Sequence, residues 1–192
     1  MNILEEIYQK VDKSDTGFAL HYPMLYSLVL GLESKNVFEF GTGFSTHVIL
    51  NSLAKTGGSL KSCDVTHYND NPNVTEFTKN NKQWQFHYGN SNVTFNQMKH
   101  EQYDLILHDG SHVEQEVQLD LENCYPYLKH DGILITHDTR HHDLGQGMKN
   151  AVESFAMGKQ LEMCTVPYGY GLTFFRNKSP KQEKVNLTWR KK

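Results

Sequence analysis

Apolar and polar positions change period several times along the chain. Ile3, Leu4, Ile7, Tyr8 and Val11 recur at helical spacing, which predicts an amphipathic helix over residues 2–11. The stretch DKSDTG breaks it, and Pro23, suited to a first helical turn, opens a second apolar helix through Met24, Leu25, Leu28 and Val29 to Leu32. From residue 36 the pattern alternates. NVFEF at 36–40 predicts a short strand, GTGFST a turn, residues 47–55 a helix stopped by Gly57 and Gly58, and residues 60–65 a second strand. Further on, residues 75–80 predict a helix, 84–88 a strand before Gly89, and YDLILH at 103–108 a clear strand. A long helix is expected over 113–128, a turn at HDG (130–132), the strand ILITH, a helix over 146–157, and a closing hairpin of LEMCTV and GLTFFR joined by PYGY.

Alternating βα units demand a parallel sheet covered by helices on both faces, and the final hairpin implies one antiparallel strand near an edge. The predicted class is α/β, doubly wound. A chain of 192 residues with 38% hydrophobic content can bury a core as one domain, assigned here to residues 1–178 with a helical lid at 1–33. Residues 179–192 read as a polar, basic tail with no period.

Charge changes this picture little. Nineteen basic against 22 acidic residues give −3, which argues against a nucleic-acid groove. Three cysteines without a C-x-x-C pair suggest neither a disulfide framework nor a thiolate zinc site, and the acidic start MNILEEIYQK is no secretory signal; a cytoplasmic protein without a membrane segment is expected. The unusual entrant is histidine, 11 in all, with His108, His112, His137, His141 and His142 crowded into two short stretches.

In open parallel sheets ligands bind beyond the carboxyl ends of the strands. Those ends carry Glu39-Phe-Gly41-Thr-Gly43-Phe-Ser45-Thr46, then Asp64, then Gly89-Asn90-Ser91, then His108-Asp109-Gly110-Ser111-His112, then His137-Asp138-Thr139. A dinucleotide fingerprint fails because Thr46 stands where its last glycine is needed, and Glu39 would repel a pyrophosphate. A ligand with cationic groups and no phosphate, such as S-adenosylmethionine, suits both features. Gly41 and Gly43 let backbone approach it, and Asp64 lies near the ~20-residue offset at which an acid reaches ribose hydroxyls.

VFEFGTGFST, the acid in SCDV, GNS, YDLILHDGSH and LKHDGILITHD, in this order, resemble class I S-adenosylmethionine-dependent methyltransferases, over roughly residues 20 to 176. DLILHDGSH and the segment after it are similar to the small O-methyltransferase branch. The resemblance implies a Rossmann-like, seven-stranded, mostly parallel sheet with the last strand antiparallel. It further implies that Glu39, Gly41 and Gly43 line the methionine end, Asp64 takes the ribose, Asn90 and Ser91 sit by the adenine, and Asp109 closes the pocket near the reacting methyl. Ser45 replaces a third glycine found in many members.

The expected reaction is methyl transfer to a small polar acceptor, a hydroxyl for choice, with Asp109, His112 and His137 as candidate catalytic groups and the two histidines as candidate bases. Catechol-like relatives hold a divalent metal between a carboxylate after strand four and an Asp-Asn pair after strand five; Asp109 and Asp138 match, and Thr139 replaces the Asn. Magnesium or manganese is the metal such a set would take. The alternatives are a catalytically silent nucleoside-binding or regulatory module of the same fold, and a nicotinamide oxidoreductase, which Glu39 and Thr46 oppose. A homo-oligomer is compatible with the sequence.

Overall fold

The computed structural model describes residues 2–13, 17–98, 101–141, 146–159 and 161–176. His142 and the tail at 179–192 lie outside the described residues. The elements run α1 (Ile3–Lys13), a 3₁₀ turn (Gly17–His21), α2 (Tyr22–Gly31), β1 (Asn36–Phe40), α3 (Phe44–Thr56), β2 (Ser59–Asp64), α4 (Glu76–Lys79), β3 (Trp84–Tyr88), α5 (Ser91–Gln97), β4 (Tyr103–His108), α6 (Glu114–Cys124), β5 (Leu128–His137), α7 (Gly147–Lys159), β6 (Met163–Val166) and β7 (Leu172–Arg176).

The sheet has seven strands in the order β3-β2-β1-β4-β5-β7-β6. Strands β1 to β5 pair in parallel, and β7 runs antiparallel to both β5 and β6. The antiparallel strand is thus one in from the edge, because the hairpin inserts its second arm between β5 and β6. Alternation along β1 assigns the faces. Val37 points into a core with α1, α2 and α3 residues such as Ile7, Leu25 and Val48, whereas Phe38 and Phe40 point into a second core with Phe95 of α5, Leu121 of α6 and Phe155 of α7. Among the described residues no helix is long and apolar enough to cross a membrane.

Several expected boundaries are corrected. Helix α3 starts at Phe44 because the Gly43 N–H donates to the Thr46 hydroxyl (3.0 Å), closing the first turn around that side chain. At the other end Gly57 caps it in the left-handed region (φ 76°). Helix α6 stops at Cys124, since Pro126 cannot supply the next helical N–H, and a 3₁₀ turn at Tyr125–Tyr127 follows. HDG does not separate helix from strand: β5 runs through it, with the register to β4 shifting between Tyr103 and Leu105 and Asp131 at φ 62°. Helix α5, of seven residues, and the Gly17–His21 turn, of five, are too short to show a period. The signal for α5 was Asn90, whose side chain accepts the Asn92 N–H, with Phe95 fully buried as its one apolar anchor.

Candidate functional site

The parallel register sets Phe40 beside Cys63 on one flank and beside His108 on the other, with His108 next to Thr136. Gly41, Asp64, Asp109 and His137 therefore emerge together at one end of the sheet. Chain order reverses between β1 and β4, so a crevice opens there. It has two chambers. One, of about 270 Å³, is lined by Gly41, Thr42, Cys63, Asp64, Gly89, Asn90, Ser91 and Asp109. The other, of about 250 Å³, is walled by Phe18, Tyr22, Gly43, Phe44, Ser45 and Asn73, with Lys10 at its rim, its Nζ 4.9 Å from the Phe44 ring centroid. Thr42 and Asp109 belong to both.

In the first chamber the Asp64 carboxylate accepts the Thr42 N–H (2.8 Å) and hydroxyl (2.7 Å) at one oxygen and the Thr66 N–H (2.8 Å) at the other. A carboxylate has about four lone-pair sites, so capacity for a ligand hydroxyl remains. Gly41 sits at φ 84°, and any Cβ there would run into the Asp109 carbonyl oxygen. The turn after β1 is thereby pressed onto the end of β4.

Glu39 is placed differently from the other residues singled out in the sequence. It is fully buried beneath the turn, accepting hydrogen bonds from Ser45 Oγ (2.6 Å), Thr46 Oγ1 (2.8 Å) and Ser62 Oγ (2.9 Å). Burial raises its pKa to about 8 against the pull of those three hydroxyls. It faces inward on the side of β1 that α3 covers and organises the turn from below, while Ser45 spends its hydroxyl on it. Asn90 caps α5, and the Ser91 hydroxyl donates to Asp120 (2.7 Å).

From Asp109, which both chambers share, a relay of four side chains runs across the ends of β4 and β5. Asp109 Oδ1 lies 3.2 Å from His137 Nδ1, which lies 3.1 Å from Asp138 Oδ1; the other Asp138 oxygen is 2.8 Å from His112 Nε2. Burial disfavours the charged imidazole of His137, but the hydrogen bonds of Asp109 and Asp138 outweigh it and raise its pKa to about 9. Asp138 is held well below the usual carboxylate range, since His112 and His137 overcome its own burial. The hydrogen bond to Asp138 likewise raises the pKa of His112, whose side chain is 38% exposed and so stays reachable. One donor atom each from Asp109, His137 and Asp138 lie within 4.8 Å of one another, a set with the reach and chemistry to hold a divalent cation. Thr139 is turned away, its hydroxyl accepting that of Thr173 (2.9 Å).

Two histidines depart from the expected grouping. His108 is fully buried and pairs with Asp120 instead of facing the cleft. His21, which the sequence did not single out, packs edge-on against His137 at 5.5 Å between ring centroids, while Phe18 stacks on that ring at 4.3 Å. The 3₁₀ turn that carries both is tied to the β6–β7 hairpin through His21 Nε2 and the Gly169 carbonyl (3.0 Å).

A doubly wound sheet with a glycine turn after β1, an acid ending β2 and a cleft at the reversal point defines a Rossmann-like protein. The chain belongs to the family described as "Methyltransferase domain", whose pattern matches residues 38–139. Its fold is similar to an S-adenosylhomocysteine-bound Podospora anserina methyltransferase, PaMTH1, at TM-score 0.70 and 14% identity, covering 92% of this chain and 87% of that one. It is also similar to an O-methyltransferase from Bacillus cereus in complex with S-adenosylhomocysteine (TM-score 0.69, 19% identity, 91% and 90% covered). A third likeness is to MycE of the mycinamycin biosynthetic pathway, in complex with magnesium and S-adenosylhomocysteine (TM-score 0.57, 15% identity, 88% and 52% covered). No curated protein matches in sequence.

Proposed function

We propose that the protein transfers a methyl group from S-adenosylmethionine to a hydroxyl of a small polar acceptor. The observation that carries this reading is the pair of chambers meeting at Asp109, one edged by Asp64 and the α5 start, the other walled by aromatic rings. The first takes the cofactor, with Asp64 on the ribose, Asn90 and Ser91 by the adenine, and Gly41 at the methionine end over Glu39; the methionine tail reaches past Thr42 to Gly43 on the wall of the second. The second takes the acceptor, and the sulfonium methyl lies where they meet.

In the reaction the acceptor oxygen attacks the methyl carbon in line, the carbon–sulfur bond breaks, and its electron pair stays on sulfur to give S-adenosylhomocysteine. The acceptor proton needs a destination. His112 donates from Nε2 to Asp138, which leaves Nδ1 as the free base, and Asp138 steadies the imidazolium that forms. His137, charged at neutral pH, holds Asp109 and Asp138 in place. A divalent cation would take the place of the His137 Nδ1 proton, held by Asp109, Asp138 and the then neutral imidazole, as MycE is described with magnesium; two carboxylates and an imidazole suit manganese at least as well. When bound, such a cation lowers the pKa of an acceptor hydroxyl.

The test is calorimetric titration with S-adenosylhomocysteine, followed by turnover on a panel of hydroxylated acceptors with chelator or with added manganese. One binding site and methylated product support the reading. Absence of binding sinks it, and binding without turnover on any acceptor supports the silent nucleoside-binding module instead.

A further inference from the structure

Behind the wall of the cofactor chamber lies a pair of side chains that methyl transfer does not use. His108, at the end of β4, and Asp120, on α6, are both fully buried. A single Asp120 oxygen, Oδ2, accepts from His108 Nε2 at 3.1 Å and from the Ser91 hydroxyl at 2.7 Å. The remaining polar atoms of the pair, His108 Nδ1 and Asp120 Oδ1, are buried with no hydrogen-bond partner among the described residues. Leaving two such atoms unsatisfied is unfavourable, so the arrangement calls for a compensating role.

Ser91 is where the pair meets the cleft, since it lines the chamber beside Gly89 and Asn90. A serine hydroxyl has one proton, and here it points away from the cleft to Asp120. What the Ser91 side chain offers a ligand is then lone pairs alone, its one remaining donor being the backbone N–H at the start of α5. The adenine ring system has one strong donor, its 6-amino group, whereas a 6-oxo purine presents an acceptor at that position. The geometry points to Asp120 and His108 as positioning residues that make the Ser91 hydroxyl an obligate acceptor, so that, with the 6-position against that hydroxyl, the chamber selects a 6-amino over a 6-oxo purine nucleoside. This rests on the cofactor reading above. His108 contributes by donating to the same oxygen and, packed against Phe40 at 5.2 Å between rings, by keeping the carboxylate from turning.

The experiment is calorimetric titration of the full chain with S-adenosylhomocysteine and with its 6-oxo counterpart, S-inosylhomocysteine. The unmodified protein is expected to prefer the amino compound by roughly tenfold or more, the scale of one hydrogen bond replaced by a mismatch. Ser91→Ala should collapse that ratio. Asp120→Ala should collapse it partly by a gain in affinity for the 6-oxo compound, because the freed hydroxyl can turn and donate to it; loss of structure alone gives no such gain. Asp120→Asn, with its amide oxygen in the Oδ2 position, should keep the preference. In case Asp120→Ala does not fold, ¹⁵N chemical shifts of the unmodified protein report the His108 tautomer, expected protonated at Nε2. Equal affinity for the two compounds, an unchanged ratio in Ser91→Ala, or an Nδ1-protonated His108 overturns the inference while the cofactor reading stands; failure of both compounds to bind overturns both.

Discussion

Gly41 backs directly onto the carbonyl of Asp109, so the turn that follows β1 and the residue that ends β4 form one rigid corner at the meeting point of the two chambers. Gly43, two residues on, has extended backbone (φ 177°) and only the Asn73 Cβ, at 3.8 Å, near the place a Cβ would take. Gly41→Ala is therefore expected to lose about 1–3 kcal/mol or more in stability, from left-handed strain plus collision with backbone. Gly43→Ala should stay within about 1 kcal/mol in stability and lose affinity for S-adenosylhomocysteine, because a methyl group then stands where the ligand passes. Urea denaturation and calorimetry separate the two effects.

The proton path predicts a pH profile. Asp138 raises the His112 pKa above the ordinary 6.5, and only the neutral imidazole accepts a proton, so turnover should be low below that value and rise as pH climbs through it. Asp138→Asn removes the leading cause and should move the midpoint of the rise to lower pH. His112→Gln should reduce kcat by roughly 10²–10⁴-fold with little change in cofactor affinity. A flat profile through this range counts against a histidine base.

Burial of Glu39 predicts a stability effect with a definite sign. Its folded pKa of about 8 exceeds the ordinary 4.5, so its stabilising contribution is complete below 4.5 and is lost as pH rises through 8. Glu39→Gln, which cannot ionise, should flatten this part of the curve of unfolding free energy against pH. Glu39→Ala should lose roughly 3–5 kcal/mol, because three buried hydroxyls lose their acceptor. Denaturant titrations across that pH window check both.

Asp64 does two jobs that substitution can separate. Asp64→Asn keeps one oxygen for the Thr42 hydrogen bonds and should remain folded while binding S-adenosylhomocysteine at least about tenfold more weakly, the scale of a lost charge-assisted bond. Asp64→Ala also frees the Thr42 and Thr66 N–H groups, and should show both weaker binding and a lower melting temperature.

Local chemistry was enough to read β1, β3 and β4 to the residue, because five or six residues rich in aromatic and aliphatic side chains and bounded by glycine or polar turns have few other conformations. It also placed Gly41, Asp64, Asn90, Asp109 and His137 at strand ends, since strand order and handedness bring those ends to one side. Helix α5 was illegible for the converse reason: it is held by one cap and by Phe95 docking in a core assembled from distant segments.

Sequence alone thus determined the alternating architecture, the end of the sheet at which the candidate site opens and the residue types presented there, all of which follow from short-range pattern. Tertiary structure alone decided partnership. Strand register joined Asp109, His137, Asp138 and His112 into one relay, although 28 residues separate its first bond in the chain. Packing sent His108 inward to Asp120, brought His21 onto His137 and buried Glu39 under three hydroxyls. These choices depend on distances of a few ångström across separate elements, which no local period encodes.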